Sequence, residues 1–317
     1  MRSSNIKIFL TKTALICLIF YASVPGTEWQ GRVINAGRDS LPVPDINVMP
    51  QMVSRQHPEP VILDTLQSGP DGQFTIGIDN PLTTETYFLS AEYQGVRYYS
   101  DALRLSESDI PKIAVFDTTH RTDSVNILMH HVAVQDLGRT AHIRETRVFE
   151  NTSKRTVLDA VEISAGTALF RFAVPKGLIR FTPDEDVSDS DIVYANGFVY
   201  DKRVLPPGKS QLTYMYELQW KAGQTGVLTD IQPGTRSFGV FLADQHLRII
   251  SESLRDQGDF SIGGHTYRRY SGQHVNTAKA LKFSLQRYSK PQKPWPAVLL
   301  TAILCLGAYL YALRRDK

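Results

Sequence analysis

The chain has 317 residues with a formal net charge of +3, of which 42% are hydrophobic and 21% charged. These values exclude a disordered polymer, and without a basic block there is no electrostatic footprint for nucleic acid. The two cysteines, Cys17 and Cys305, both lie in apolar terminal segments, so the body between them holds neither a disulfide framework nor a thiolate zinc site.

The N-terminus reads as a signal peptide over residues 1–26. Arg2, Lys7 and Lys12 form a positive region, and residues 14–21 form an apolar stretch too short to span a bilayer. Ala22, Ser23 and Gly26 then supply small residues for cleavage. Retention as an uncleaved anchor is the alternative. Cys17 sits inside the apolar run without a small-residue box before it, which argues against lipoprotein processing.

From 28 to 289 helical periodicity is scarce and period-2 alternation is dense, so an all-β body is expected. Strands are predicted at Trp29-Gln30-Gly31-Arg32-Val33-Ile34, Gln73-Phe74-Thr75-Ile76, Tyr87-Phe88-Leu89-Ser90-Ala91 and Arg97-Tyr98-Tyr99. Further strands are predicted at Val125-Asn126-Ile127-Leu128, Leu169-Phe170-Arg171-Phe172-Ala173-Val174 and Gln211-Leu212-Thr213-Tyr214-Met215-Tyr216. Gly69-Pro70-Asp71-Gly72, Asn196-Gly197, Pro206-Pro207-Gly208 and Gln232-Pro233-Gly234 supply turns. Short strands with frequent Gly and Pro turns predict two tandem β-sandwich domains, over 28–112 and 115–289.

The first domain carries a resemblance. Gln30-Gly31-Arg32-Val33-Ile34-Asn35, Leu41-Pro42-Val43-Pro44-Asp45-Ile46-Asn47-Val48 and Ser68-Gly69-Pro70-Asp71-Gly72-Gln73-Phe74 resemble the carboxypeptidase regulatory-like domain. That family is a prealbumin-like sandwich found in exported bacterial proteins, so the resemblance implies a fold and little about activity. The whole arrangement, with a second β-domain and a C-terminal helix, resembles membrane-anchored envelope proteins. Some of these are encoded beside cytochrome c maturation or transport components, which implies an accessory role at the membrane.

At the C-terminus, a Lys- and Pro-rich linker over 290–296 leads into the charge-free run 297–313. As a helix rising about 1.5 Å per residue, this run reaches about 25 Å, near the lower limit for a span. Trp295 at one edge and Tyr309 and Tyr311 near the other suit the two interfaces, and Arg314, Arg315 and Lys317 place the 314–317 tail in the cytoplasm. The expected topology is a single-pass membrane protein with an extracytoplasmic body, periplasmic or at the cell surface. Proteolytic removal of a sorting tail is the alternative.

Candidate chemistry is sparse. His142-Ile143-Arg144-Glu145, with His246 further on, has the residue types of a zinc carboxypeptidase. In a strand, however, residues three apart face opposite sides, so solvent-facing strand residues are the expectation. The same alternation separates His130 from His131. Residues 184–191 offer alternating oxygen side chains that could wrap calcium but lack the EF-hand glycine and terminal glutamate, so a solvated acidic turn is expected. Tyr93, Tyr98 and Tyr99 form the candidate partner or ligand surface, with alternation sending one of the last two into the core. No nucleophile, phosphate-loop or dinucleotide motif occurs. The expected function is therefore a non-enzymatic module tethered to the membrane by its C-terminal helix, without catalytic, metal or cofactor residues. Its expected partner is another envelope or membrane protein, with a cell-surface glycan or peptide as the alternative ligand.

Overall fold

A computed structural model describes residues 27–103, 111–163, 166–184, 188, 190–272 and 279–288. The expected signal peptide, linker, apolar span and tail lie outside the described residues, as do residues 185–187 and 189 of the acidic loop. Among the described residues the chain is all-β, and no helix is long and apolar enough to cross a membrane. The described residues divide into two compact units, one within 27–35 and 40–115, the other within 36–39 and 116–288.

The first unit contains β1 (Thr27–Asn35), β2 (Leu41–Pro42), β3 (Asn47–Val53), β4 (Val61–Ile62), β5 (Leu66–Gln67), β6 (Gln73–Ile78), β7 (Thr86–Tyr93), β8 (Val96–Tyr99) and β9 (Lys112–Val115). One sheet runs β2-β1-β6, with β9 joining β1 in parallel, and the other runs β4-β3-β7-β8, with β5 on β3. Alternation explains the core: Phe74, Ile76 and Ile78 of β6 are buried while Gln73, Thr75 and Gly77 are exposed. Gly72 permits the turn into β6. Its φ is +73°, and a Cβ there would stand 2.6 Å from the Val33 carbonyl oxygen.

The second unit contains β10 (Thr118–Thr119), β11 (Val125–Asp136), β12 (Thr140–Asn151), β13 (Thr156–Val157), β14 (Val161–Ile163), β15 (Gly166–Ala168), β16 (Phe170–Ala173), β17 (Leu178–Pro183) and β18 (Ile192–Ala195). It continues with β19 (Phe198–Asp201), β20 (Gly208–Gln219), β21 (Gln224–Ile231), β22 (Phe238–Leu242), β23 (Leu247–Ile250), β24 (Leu254–Ile262), β25 (His265–Gly272) and β26 (Lys279–Arg287). The large sheet has the order β17-β20-β12-β11-β22-β25-β24, with β11 and β22 parallel. Smaller sheets, β21-β26-β23 and β16-β19-β18, contribute Val227, Phe283, Leu285, Phe172 and Val199 to one core with Ile143, Phe149 and Tyr216 of the large sheet. Asn196-Gly197 turns β18 into β19 with φ of 53° and 82°, the left-handed pair a two-residue hairpin requires.

Candidate functional site

Strand alternation gives β12 an unexpected inner face. Its buried residues are Ala141, Ile143, Glu145, Arg147, Phe149 and Asn151, so a carboxylate and a guanidinium point into the core together. Opposite them, β20 buries Tyr214 and Tyr216, β11 supplies His130 and β21 supplies Thr229. None of these six side chains is more than 1% exposed. The expectation that Glu145 faces solvent is therefore corrected: two residues on the same strand face share one interior, and each supplies the charge the other needs there.

Glu145 is the hub. Its Oε2 accepts from Arg147 Nη2 at 2.9 Å, Thr229 Oγ1 at 2.9 Å and Tyr214 at 3.2 Å, and lies 3.0 Å from His130 Nε2. Its Oε1 accepts from the Tyr216 hydroxyl at 2.8 Å. Arg147 Nη1 donates to the Tyr214 hydroxyl at 2.6 Å, and Nη2 also reaches the Asp230 carbonyl at 3.3 Å. The guanidinium lies 4.1 Å from the Phe172 ring centroid. Its Nε has no partner among the described residues, so the flat face is held by the ring rather than by a further acceptor.

The electrostatics make the cluster neutral as a whole. Burial pushes the Glu145 carboxyl up, but Arg147 and the hydrogen bonds from His130 and Tyr216 outweigh it and hold it at about 2. Burial and the neighbouring Arg147 charge push His130 down to about 4, against the pull of Glu145. His130 is thus a neutral imidazole near pH 7, and its Nε2–H donates to the carboxylate. Burial raises both tyrosine hydroxyls, which stay protonated as donors. One anion and one cation cancel, and donors surround the anion. With every member sealed, the arrangement fixes side chains but offers no reacting atom to a substrate.

A second cluster with the same three chemistries lies at one end of the unit. Asp136, at the end of β11, accepts from Arg287 Nε at 2.6 Å, Gly138 N at 2.8 Å and Trp220 Nε1 at 3.1 Å, and lies 2.7 Å from His246 Nε2. Burial raises this carboxyl, but the bonds from Arg287, His246 and Gly138 hold it well below the usual carboxylate range. The Arg287 guanidinium lies 4.5 Å from the Trp220 ring centroid. The backbone is tied as well: Arg287 N donates to Gly223 O at 2.9 Å and Tyr288 N to His246 O at 2.8 Å. The C-terminal end of β26 is clamped by side chain and main chain together.

The other candidates are dispersed. His142 lies on the face of β12 opposite Glu145, and His246 belongs to the Asp136 cluster, so the zinc-like trio is not assembled. Among the described residues no three His, Cys, Asp or Glu side chains are placed to hold one metal ion. His131, on the other face from His130, packs edge-on against Phe241 with centroids 4.8 Å apart. Asp184 pairs with Arg144 at 3.3 Å. Asn151, in a glycosylation-like sequence, is 2% exposed and donates to Arg155 O and Leu205 O.

The tyrosines separate too. Tyr98 is 7% exposed and belongs to the core, whereas Tyr99 is 56% exposed beside Phe88, with centroids 6.0 Å apart. Tyr93 is half-buried at the end of β7. Nearby, Asp45, Asn47, Glu92, Gln94 and Arg97 line a shallow polar cleft of about 320 Å³. In the second unit an open groove of about 600 Å³ is lined by Val227, Ile250, Glu252, Lys282 and Phe283.

Among known proteins, no family model matches the chain and no curated protein matches it. The buried cluster escaped sequence reasoning, although Glu145-Thr146-Arg147 and Tyr214-Met215-Tyr216 both carry the period-2 signal that places their outer members on one face.

Proposed function

We propose that this chain is a non-enzymatic, membrane-tethered module of the cell envelope that binds or positions another membrane protein. In this reading residues 1–26 export it, two tandem β-sandwich domains form the extracytoplasmic body and 297–313 span the bilayer. The observation that carries it is the clamp on β26. Asp136 grips Arg287, with only nine residues between it and the charge-free run that begins at Ala297, so the body would be held close to the membrane surface. The burial of Glu145 and the separation of His142 from it support the non-enzymatic part, since those residues carried the strongest catalytic motif. The resemblance of 28–112 to the carboxypeptidase regulatory-like domain fits an accessory role, beside a membrane complex such as one for cytochrome c maturation or transport.

The test is a crosslinking capture from membranes, with a chain lacking 297–313 as control. Reproducible capture of one membrane complex, lost without the apolar run, is the expected result. Capture of no specific protein by either form overturns the adaptor reading.

A second reading has an observation of its own. The exposed Tyr99 stands beside the half-buried Phe88 on the first unit, a surface on which a glycan or peptide could stack. Retention of the chain on a cell-surface glycan, lost in Tyr99→Ala with folding intact, would favour it.

A further inference from the structure

The strand registers gather several turns of the second unit at the end where β26 finishes. β11 leads into the 137–139 turn, β20 into the 220–223 turn, β22 into the 243–246 loop, and β26 into Arg287 and Tyr288. The β24–β25 hairpin reaches the same end. Leu242 pairs with both Val134 and Arg268, and beyond that level β25 carries on through Tyr267, Thr266 and His265, paired only with β24. Three further residue pairs at about 3.3 Å each carry the Gly263-Gly264 turn about 10 Å past the end of β22.

This end carries three exposed large apolar side chains set among polar and charged ones. Ile262 is 60% exposed, Leu137 50% and Phe260 40%. Phe260 and Ile262 share one face of β24, and Phe260 packs against Phe241 of the large sheet. The exposed side chains around them include Arg139, Lys221 and His265, with Asp259 as an acidic neighbour. Beyond Tyr288 the sequence adds Lys290 and Lys293 before Trp295. Only eight residues separate Tyr288 from the apolar run, a reach of at most about 28 Å when fully extended.

We infer that this end of the second unit rests on the lipid surface, with the β24–β25 tip and Leu137 dipping into the headgroup region. The inference rests on the proposed membrane anchor and adds a second, peripheral contact to it. The occupant is lipid because the apolar side chains stand at the end from which the chain leaves toward its own apolar run. The exposed Arg139 and Lys221 would meet anionic headgroups, as in other interfacial anchors. Tilting of the body would be restricted, since the tether and the hairpin tip hold it at two points.

The body lacks cysteine, which makes the test direct. In a full-length chain carrying Cys17→Ser and Cys305→Ser, a single Ile262→Cys accepts an environment-sensitive fluorophore, and Val204→Cys serves as the control. Val204 is 39% exposed at the other end of the unit, next to Leu205, whose carbonyl binds Asn151 at the end of β12. The protein is reconstituted into vesicles of phosphatidylcholine and phosphatidylglycerol, with and without a shallow nitroxide lipid. The expected result is blue-shifted, quenched emission at 262 and aqueous, unquenched emission at 204. Aqueous emission at both sites, or equal quenching at both, overturns the inference while the anchor stands, provided the chain resists alkaline carbonate extraction. A chain that carbonate removes from the vesicles overturns the anchor and this contact together.

Discussion

The second unit holds the same trio of carboxylate, guanidinium and imidazole twice, in opposite surroundings. Glu145, Arg147 and His130 are sealed in the core, whereas Asp136 meets Arg287 and His246 at the end of the sheet, where the arginine and histidine side chains are 31% and 52% exposed. Burial decides what each trio can do. In the core, desolvation keeps the imidazole neutral and makes every donor indispensable, because an uncompensated charge there is costly. At the end of the sheet, water shares the work, and the trio acts as a fastener for the departing chain.

The sharpest way to break this contrast is to remove the buried anion. Glu145→Ala should cost roughly 3–5 kcal/mol, because Arg147 is left as an unpaired buried charge. The urea midpoint of unfolding measures it. Glu145→Leu combined with Arg147→Met should recover much of that loss, since an apolar replacement of the pair leaves no orphaned charge. A double variant as unstable as the sum of its single changes would show that the two residues do not act as a unit.

Acid should separate the trios next. The His130 imidazole is depressed to about 4, so between its unfolded value near 6.5 and about 4 the unfolded chain binds more protons than the folded one. Stability is then present above pH 6.5 and lost as pH falls, by on the order of 3 kcal/mol across that window. Glu145, depressed to about 2, adds a further loss of the same sign below about pH 4.5. His130→Gln should flatten the profile between pH 6.5 and 5. A variant whose midpoint still falls as steeply as the parent's would exclude His130 as the source.

The terminal trio should give smaller effects. Asp136→Asn should cost about 1–2 kcal/mol, a figure reduced for solvent screening of the exposed arginine, and should speed proteolysis just after Tyr288. Limited digestion followed by mass mapping reads the second effect. His246→Ala, which removes a half-exposed partner while Arg287 stays, should cost no more than about 0.5 kcal/mol.

Legibility in the sequence followed burial on one face. Strands β1, β6 and β8 alternate between core and solvent, β7 and β20 alternate except at the buried runs Leu89-Ser90-Ala91 and Leu212-Thr213-Tyr214, and the expected segments fall within all five. β24 is not legible because residues 255–259 are polar or glycine, leaving Phe260 and Ile262 as one short alternation; Gly263-Gly264 marks the turn after it. The Glu145 cluster was hidden for a different reason. Charged residues at inward positions look like solvent-facing ones until their partners, up to 84 residues away in sequence, are known. The tyrosine surface divided because β8 follows strict alternation, sending Tyr98 inward and Tyr99 outward.

The central place of β26 in its sheet has a consequence for the order of assembly. β26 pairs with β21 on one side and β23 on the other, and its Arg287 closes a contact 151 residues back along the chain. A polypeptide that emerges N-terminus first cannot complete this sheet until nearly all of it has appeared. Such long-range closure is slow compared with local pairing. The Asp136 site would therefore wait open through most of synthesis, and the unit would finish folding only as the apolar run follows it out.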